Sequence, residues 1–409
     1  MKIIFLAPYP LRSAPSQRFR FEHFFKSMEE KGFIWEFQSF LTEKGWSVIY
    51  SNGNWLSKIT STLAGFLIRL LLLFRIRSFD LVFIHRELTP FGPPVFEWLI
   101  SRVFRKKVIY DFDDAIWMSD RTQESTLWRW LKWRNKVALL CKWSWKVSVG
   151  NNFLGDFARQ HCSHVVLIPT IVNSDVHARG VSALRQAQRD THKQAMPDMP
   201  EQAQHDIQQA QSDTKANPQH NHINTLTLSK PAKPTIGWTG SHSTLAYLDD
   251  LIPVLKELQS DYKFTFLVIA NKNPHLPLDD FEFINWSQEY EVEDLLKIDI
   301  GVMPLKDTHW EKGKCGFKLI QYFAMEIPAV ASPVGVNNHL IKDNHNGYFA
   351  RNKDEWKQQL IKLLSDQELR SRMGKEGRKL IESSYSVSSL NEKFLSLFDE
   401  DSVKTSSEE

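Results

Sequence analysis

Short apolar segments rich in Val, Ile and Phe alternate with longer helical segments along most of the chain. In the first half we predict strands at Lys2–Leu6, Ile34–Gln38, Asp80–His85, Lys107–Tyr110, Lys146–Val149 and Val165–Ile168. In the second half we predict strands at Pro234–Gly240, Phe264–Ile269, Phe281–Ile284, Ile300–Pro304 and Pro328–Ala331. The stretches between the early strands predict helices over Arg18–Lys31, Leu56–Phe74, Pro94–Arg105, Leu127–Cys141 and Phe153–His161. This alternation predicts an α/β protein with two doubly wound, Rossmann-like parallel sheets.

The length of the chain and one segment of unusual composition predict the boundary between two domains, one for each sheet. A chain of 409 residues with 42% hydrophobic content suits two domains, each with its own core. Residues 173–232 contain no aromatic residue and no sustained apolar periodicity, so we predict a disordered insertion there. Five histidines are scattered through it, and their spacing does not favour a metal site. The predicted domains are therefore 1–172 and 233–387, with 388–409 as a C-terminal segment.

Charge and cysteine content narrow the class of protein. The net charge of +3 gives no reason to expect a nucleic-acid partner. The three cysteines are widely spaced, which predicts neither a disulfide framework nor a zinc site and favours a reducing cytosol. Residues 1–10 carry one lysine and then a strand-like run, so we predict no signal peptide.

The segment Lys314–Gly335 carries the most chemistry. It predicts a loop, an amphipathic helix and a buried strand, with Lys314 and Lys318 near the start of the helix. Free N–H groups, the positive end of the helix dipole and two ammonium groups would together bind a diphosphate, and we assign that role to Lys314, Gly316, Phe317, Lys318 and Leu319. An ordinary helix with solvated lysines is the alternative. Gly240 and Ser241, in the loop WTGSHST after a predicted strand, are further candidate donors, unless Ser241 or Ser243 merely caps a helix.

Three carboxylates follow the strand that begins at Lys107. Asp111, Asp113 and Asp114, in the sequence DFDDA, lie where parallel strands present ligands. Clustered carboxylates can accept a proton or bind sugar hydroxyls, and we assign Asp113 and Asp114 as catalytic and Asp111 as a contact to the acceptor. Binding of Mg²⁺ and capping of a helix that begins near Ala115 are the alternatives.

Two of the three arginines in the segment YPLRSAPSQRFR, which follows the first strand, are candidate ligands for a phosphate. Arg18 and Arg20 can hold a phosphate of an acceptor, or they can be surface residues at a helix start. His85 follows the third strand, but a single histidine is more often structural, and we do not assign it as a base.

Apolar and basic residues also suggest contact with a membrane. Leu63–Phe74 is strongly apolar, but it is shorter than the ~20 residues of a transmembrane helix and contains Arg69. Tryptophans alternate with Lys and Arg over residues 128–146, a composition that suits the lipid headgroup layer. A buried helix and a packed tryptophan cluster are the alternatives.

The segment KCGFKLIQYFAMEIPAVASPVG resembles the donor-site motif of retaining nucleotide-sugar glycosyltransferases of the GT-B fold, the large group 1 or family-4-like class. Gly313 and Gln321 stand where that family carries two glutamates, and Glu311 lies two residues before the first of them. By the resemblance, Gln321 would contact the ribose of the donor. DFDDA is similar to a variant in a bacterial branch of the family, and Asp113 falls where many members carry an acceptor-side histidine. The WTGSHST loop lacks the arginine and lysine that many relatives have there.

The resemblance implies a function and a set of partners. The protein would transfer a sugar, with retention, from a nucleotide diphosphate sugar to a glycan or lipid-linked acceptor in the synthesis of cell-surface polysaccharide or glycolipid. It would need no cofactor or metal, and it would act in the cytoplasm with peripheral contact at the inner face of the membrane. A final helix over Ser388–Phe398 would cross back to the N-terminal domain. A nucleotide-sugar epimerase on the same fold and a non-catalytic scaffold remain alternatives.

Overall fold

The computed structural model describes residues 1–49, 53–118, 125, 128, 131–174 and 233–400. Apart from Asn173 and Ser174, the predicted insertion over 173–232 lies outside the described residues, as do its five histidines and the end of the C-terminal tail.

Two parallel sheets organise the described chain, which confirms the predicted fold class. The first contains six strands in the order β2-β1-β3-β4-β5-β6. These strands are β1 Lys2–Ala7, β2 Ile34–Ser39, β3 Leu81–His85, β4 Lys107–Phe112, β5 Lys146–Val149 and β6 Val165–Leu167. The second also contains six strands, in the order β12-β11-β10-β7-β8-β9. They are β7 Thr235–Gly240, β8 Thr265–Ala270, β9 Phe281–Asn285, β10 Ile300–Met303, β11 Ala329–Ala331 and β12 Gly347–Phe349.

Helices cover both faces of each sheet. Those of the first half are α1 Pro15–Arg18, α2 Phe25–Glu30, α3 Glu43–Ile49, α4 Trp55–Arg75, α5 Val95–Trp98, α6 Lys136–Trp143 and α7 Asn152–Arg159. Those of the second half are α8 Ile252–Asp261, α9 Glu291–Leu295, α10 His309–Lys312, α11 Phe317–Ala324, α12 Asn337–Leu340, α13 Lys353–Ser365, α14 Gln367–Ser384 and α15 Val387–Leu395. Short 3₁₀ turns occur at Glu22–Phe24, Ile76–Ser78, His242–Leu248 and Ser396–Phe398, and a π-helical turn occurs at Leu99–Val103.

Alternating side chains of the first sheet build two cores. Ile4 and Leu6 of β1 pack into one cluster, whereas Ile3 and Phe5 pack into the cluster on the opposite face. Because successive residues of a strand point to opposite faces, a sheet covered on both sides needs this continuous apolar sequence. The carboxyl ends of its strands, which lie beyond these cores, can therefore carry polar side chains.

The predicted helix over Arg18–Lys31 is wrong as a single element. The chain leaves α1 at Phe19, turns through Glu22–Phe24 and starts α2 at Phe25. The interruption lets Arg20 point its side chain into the sheet, where it is buried. A continuous helix would not place both Phe19 and Arg20 in their observed positions.

The last helix returns to the first sheet. Phe394 of α15 stacks on Phe24 with ring centroids 4.1 Å apart. The ammonium of Lys146 donates to the backbone carbonyls of Leu397 at 3.0 Å and Asp399 at 2.7 Å. α14, which leads directly into α15, packs against α11 in the second half. The chain therefore joins the two halves here as well as through residues 173–232.

Candidate active site

Two lysines flank the start of α11. Lys314 lies in the loop before the helix, and Lys318 lies in its first turn. The Lys314 ammonium lies 5.3 Å from the ring centroid of Trp310, and the Lys318 ammonium lies 5.2 Å from that of Trp238. The first N–H groups of a helix lack partners within it, so cations and backbone donors converge at this point.

Burial and the neighbouring charge of Lys314 lower the pKa of Lys318 to about 7, while Asp114 acts in the opposite direction. The two ammonium groups repel each other when both are charged, so the empty site disfavours the charged form of Lys318. An anion between them would restore the charged form of Lys318, because an opposite charge favours protonation of an amine.

Gly316 is required by the packing around it. Its φ of +68° is a backbone conformation that glycine adopts readily, and a Cβ there would lie 2.3 Å from Leu340 and 2.8 Å from Val336. The part of its backbone in binding a diphosphate stays a prediction. The backbone turn that this glycine permits sets the start of α11.

The side chains of Leu319 and Phe317 do not face a donor. Leu319 is fully buried in the core, so only its backbone amide is available at the helix start. Phe317 packs on Phe19 of the first half with ring centroids 4.4 Å apart. Their side chains serve packing, and the assignment of their backbone amides to a diphosphate stays a prediction.

The WTGSHST loop lies beside Lys318. Gly240 ends β7, and a Cβ there would lie 2.4 Å from the indole of Trp238, the ring over which Lys318 sits. Ser241 precedes the 3₁₀ turn but makes no side-chain cap, and its hydroxyl lies 2.8 Å from that of Ser243. The alternative of a hydroxyl cap at Ser241 is therefore wrong, and the hydroxyl pair is exposed to solvent.

Gln321 and Arg18 share a partner that the sequence analysis did not single out. The Gln321 amide donates to Glu291 at 3.3 Å, and Arg18 forms an ion pair with Glu291 at 3.0 Å. Gln321 is buried, and both Arg18 and Glu291 are largely shielded from solvent. The assignment of Arg18 to an acceptor phosphate is corrected, because its guanidinium binds a carboxylate of the second half.

Asp111 and Arg20 also pair with each other. Arg20 forms a buried ion pair with Asp111, donates to Ser148 at 3.1 Å and donates to the carbonyl of Ile168. His85 Nδ1 lies 2.7 Å from Asp111. Burial acts to raise the pKa of Asp111, but Arg20 and His85 outweigh it and hold that pKa well below its usual range. Neither residue is available to an acceptor, so both predicted contacts are corrected to a structural network beneath the site.

Asp113 and Asp114 remain at the site and share one arginine. Arg86 Nε donates to Asp113 at 2.8 Å, and its terminal nitrogen lies 3.2 Å from Asp114. Burial raises the pKa of Asp114 although Arg86 and Lys314 oppose that shift. Residues 115–118 form a turn, so the alternative that either aspartate caps a helix near Ala115 is wrong.

The loop before α11 docks onto the first half. Asn151 donates to the carbonyls of Gly313 at 3.1 Å and Lys314 at 3.0 Å, and the Cys315 thiol donates to the carbonyl of Asp113 at 2.9 Å. A Cβ on Gly313 would lie 2.6 Å from that of Ala115. These contacts bring the two lysines to the DFDDA carboxylates, and the charge of Lys314 acts to lower the pKa of Asp114.

Arg86 is the main residue that the sequence analysis missed. It directly follows β3, so the rule that ligands meet the carboxyl ends of strands identifies its position. Its φ of +60° is uncommon for a residue with a side chain and cannot be read from the sequence. That backbone turn brings its guanidinium to Asp113 and Asp114.

Glu311 is held inside the second half. It accepts from the hydroxyl of Tyr247 at 2.7 Å and also from the hydroxyl of Thr308.

Across the described ranges, no group of three or more His, Cys, Asp or Glu side chains has an arrangement that could hold a metal ion.

Residues 232–380 match the family model described as glycosyl transferases group 1. The chain carries a glycosyltransferase group 1 domain. We assign the enzyme class, glycosyltransferase, on that match, which covers the loop and helix that hold Lys314 and Lys318. No curated protein sequence matches the chain.

Solved structures support the fold over nearly the whole chain. A glycosyltransferase from Rickettsia africae is 15% identical with a TM-score of 0.61, and 99% of each chain is covered. HepE of Anabaena, in complex with UDP and glucose, is 12% identical with a TM-score of 0.58, covering 97% of this chain and 99% of that one. Sucrose-phosphate synthase from Thermosynechococcus elongatus is 10% identical with a TM-score of 0.61, covering 97% and 98%. At these identities the likeness establishes the GT-B fold.

Proposed function

We propose that the protein transfers a sugar from a nucleotide diphosphate sugar to a glycan or lipid-linked acceptor, with retention of anomeric configuration. The observation that carries the proposal is the meeting of Lys314 and Lys318 with Asp114 at the start of α11. UDP and glucose in the structure of HepE support the choice of a nucleotide sugar as donor. The likeness of the α11 segment to the donor motif of retaining enzymes supports retention.

The two lysines would act on the leaving group. Negative charge grows on the diphosphate as the bond to the sugar breaks, and positioned cations with backbone N–H donors stabilise that charge. Lys318 is partly neutral in the empty site and becomes charged when the anionic diphosphate binds, so a cation is already in place when the leaving group develops further charge.

The two aspartates would act on the acceptor. Asp113 accepts from Arg86 and would orient an acceptor hydroxyl, while the raised pKa of Asp114 suits a carboxylate that takes up a proton. Arg86 holds both carboxylates by hydrogen bonds on the same guanidinium, so it fixes their relative orientation.

Location and metal requirement complete the proposal. The protein would act in the cytoplasm, at the inner face of the membrane, in the synthesis of cell-surface polysaccharide or glycolipid. Since two lysines supply positive charge at the diphosphate, we expect transfer to continue after a chelator has removed divalent cations.

A thermal-shift panel of UDP-, GDP- and ADP-sugars tests the donor site. A ligand at about 100 times its dissociation constant stabilises a fold by about 2.7 kcal/mol, so the correct donor gives a clear shift. Lys318→Ala should remove most of that shift. Lys362→Ala is the matched control, because its ammonium also lies over a ring, 5.0 Å from the centroid of Tyr348, but on α13.

The results separate the alternatives. A full shift in Lys318→Ala would place the diphosphate elsewhere and contradict the proposal. A normal shift without turnover would support a non-catalytic scaffold, and an epimerised donor without transfer would support an epimerase. Retention is checked by nuclear magnetic resonance of the first-formed anomer of the product.

A further inference from the structure

One face of α4 leaves a continuous apolar surface exposed. Ile59 and Leu63 are 49% and 62% exposed, and Phe74 is 81% exposed. The exposed apolar residues of the helix are Trp55, Leu56, Ile59, Leu63, Leu67, Leu70, Leu71 and Phe74. At 100° per residue these positions fall within about 160° of the helix circumference. A soluble protein rarely exposes so large an apolar stripe unless something covers it.

The opposite face of α4 is fixed to the first half. Arg69 is buried and donates to the carbonyls of Ala7 at 2.8 Å and Leu88 at 3.2 Å. Gly65 packs so closely that a Cβ would lie 2.6 Å from the ring of Phe40. The segment Trp55–Ser78 is long and apolar enough to span a membrane by length and composition. Because Arg69 holds it to the ends of the strands, we expect it to lie along a membrane surface.

The charged side chains of the helix itself are all basic, and Arg75 at its end forms an ion pair with Glu36 of β2 at 3.0 Å. No acidic residue occurs between 53 and 78, whereas Lys58, Arg75 and Arg77 do. Phe96 packs beside Phe66 of α4, and the neighbouring Val95 and Trp98 extend the apolar surface. Apolar residues flanked by cations are complementary to a lipid surface with anionic headgroups.

A cavity lies between this face and the loops that follow β1 and β3, and Arg86 of the active site belongs to the second of these loops. Its volume is about 530 Å³, within the range of ligand pockets. Its lining is mainly apolar and includes Tyr9, Phe40, Ile59, Leu63, Leu88 and Phe91. Ile59 and Leu63 also belong to the exposed face of α4. At the inner end, Glu87 follows Arg86, the partner of Asp113 and Asp114, and Tyr9 lies near enough to Arg86 to raise its pKa.

We infer that α4 lies on an anionic bilayer and that this cavity takes the hydrocarbon chain of a lipid acceptor, whose polar head then reaches Asp113 and Asp114. The inference rests on the proposed transferase function for the role of the head, whereas the surface and the cavity are tested independently of it. It selects a lipid-linked acceptor over a soluble glycan.

Vesicle co-sedimentation tests the surface. The wild-type protein should bind vesicles of phosphatidylcholine with phosphatidylglycerol, and it should bind phosphatidylcholine alone more weakly. Leu63→Glu with Leu67→Glu should lower the affinity at least about tenfold, because two apolar side chains are then kept from the bilayer. Ile34→Glu is the matched control, because Ile34 is an apolar residue with the same exposure, 62%, but it lies at the start of β2 and not on α4. Equal binding by the double variant would overturn the inference, as would equal loss in the control.

Titration with n-dodecyl phosphate below its micelle concentration tests the cavity. We expect one saturable site in the wild-type protein. Thr62 lines the cavity, so Thr62→Trp should fill it and weaken binding at least about tenfold. Thr60→Trp adds the same ring to the exposed side of that helix turn and should leave binding unchanged. Leu63→Glu, at the cavity mouth, is the second variant should Thr62→Trp fail to fold. Equal affinity in a folded cavity variant, or binding that never saturates, would overturn the inference.

The nucleotide-sugar shift separates this inference from the proposed function. It should persist in all of these variants, because none lies near α11. Vesicle and dodecyl phosphate binding without any nucleotide-sugar shift in the wild type would contradict the transferase function alone. A normal shift without lipid binding would contradict the lipid inference alone.

Discussion

Lys318 lies at the first turn of α11 between a second cation and an indole ring. Burial and Lys314 lower its pKa to about 7, well below that of an ordinary lysine. Below about pH 7 the folded protein therefore holds an unfavourable buried charge, and this cost to stability disappears as the pH rises toward the unfolded value. A bound diphosphate would favour the protonated, charged form of the Lys318 amine.

Binding of a nucleotide sugar should therefore take up protons. We expect uptake of about 0.5 proton at pH 7 and about 0.9 at pH 8, because Lys318 is progressively neutral in the free protein. The affinity should fall as the pH rises above 7, by at most about tenfold per pH unit. Isothermal titration in buffers of different ionisation enthalpy measures the uptake directly. Lys318→Ala should abolish it, and pH-independent binding by the wild type would refute this role.

At the scale of elements, the loop before α11 joins the donor side to the DFDDA turn. Gly313 lies against Ala115, and Asn151 donates to the backbone carbonyls of Gly313 and Lys314. The contacts place Lys314 and Asp114 close together only when the two halves are docked as they are here. Docking of the loop, rather than either half alone, completes the site.

Gly313→Ala should lower kcat while leaving nucleotide binding nearly unchanged. Its Cβ would lie 2.6 Å from that of Ala115, so the loop must move away from the first half. We expect a loss of at least about tenfold, since small displacements of reacting groups are costly. Ala115→Gly combined with Gly313→Ala removes the clash and should restore much of the activity. Absence of rescue would mean that Gly313 acts through its own backbone.

The fold was predictable because the apolar pattern of each strand is local. β5 was predicted with its observed bounds, and most other strands differ only at their ends. β12, Gly347–Phe349, was missed because three residues carry little pattern. Within the described residues, the predicted helix over Leu127–Cys141 is interrupted by a turn at 133–135 before α6 begins at Lys136.

Partners in the site were much less predictable, because they lie far apart in sequence. Arg18 and Glu291 are 273 residues apart, and Arg20 and Asp111 are 91 apart. A sequence pattern places each residue at a strand end but does not reveal which of them neutralise one another. Lys314 and Lys318 lie at a helix start and Asp113 and Asp114 at a strand end, as the local sequence predicts, and their roles stay a prediction.

At the scale of the whole molecule, α15 secures the second half to the first. Phe394 stacks on Phe24 and is almost completely buried, although it comes from the far end of the chain. Because the same chain segment follows α14 of the second half, this packing ties the two halves together.

Phe394→Ala should lower the free energy of unfolding by about 3–5 kcal/mol, because it leaves a cavity under the returning helix. Phe74→Ala removes an equal side chain that is 81% exposed and should change stability by less than about 0.5 kcal/mol. Chemical denaturation measures both. Similar effects of the two substitutions would show that α15 is not held by this stack.

A crystal structure of the protein with an intact nucleotide sugar tests the central claim most directly. The diphosphate should lie within hydrogen-bond distance of the ammonium groups of Lys314 and Lys318 and of the first backbone amides of α11, with the sugar turned toward Asp113 and Asp114. A diphosphate bound away from both lysines would contradict the account.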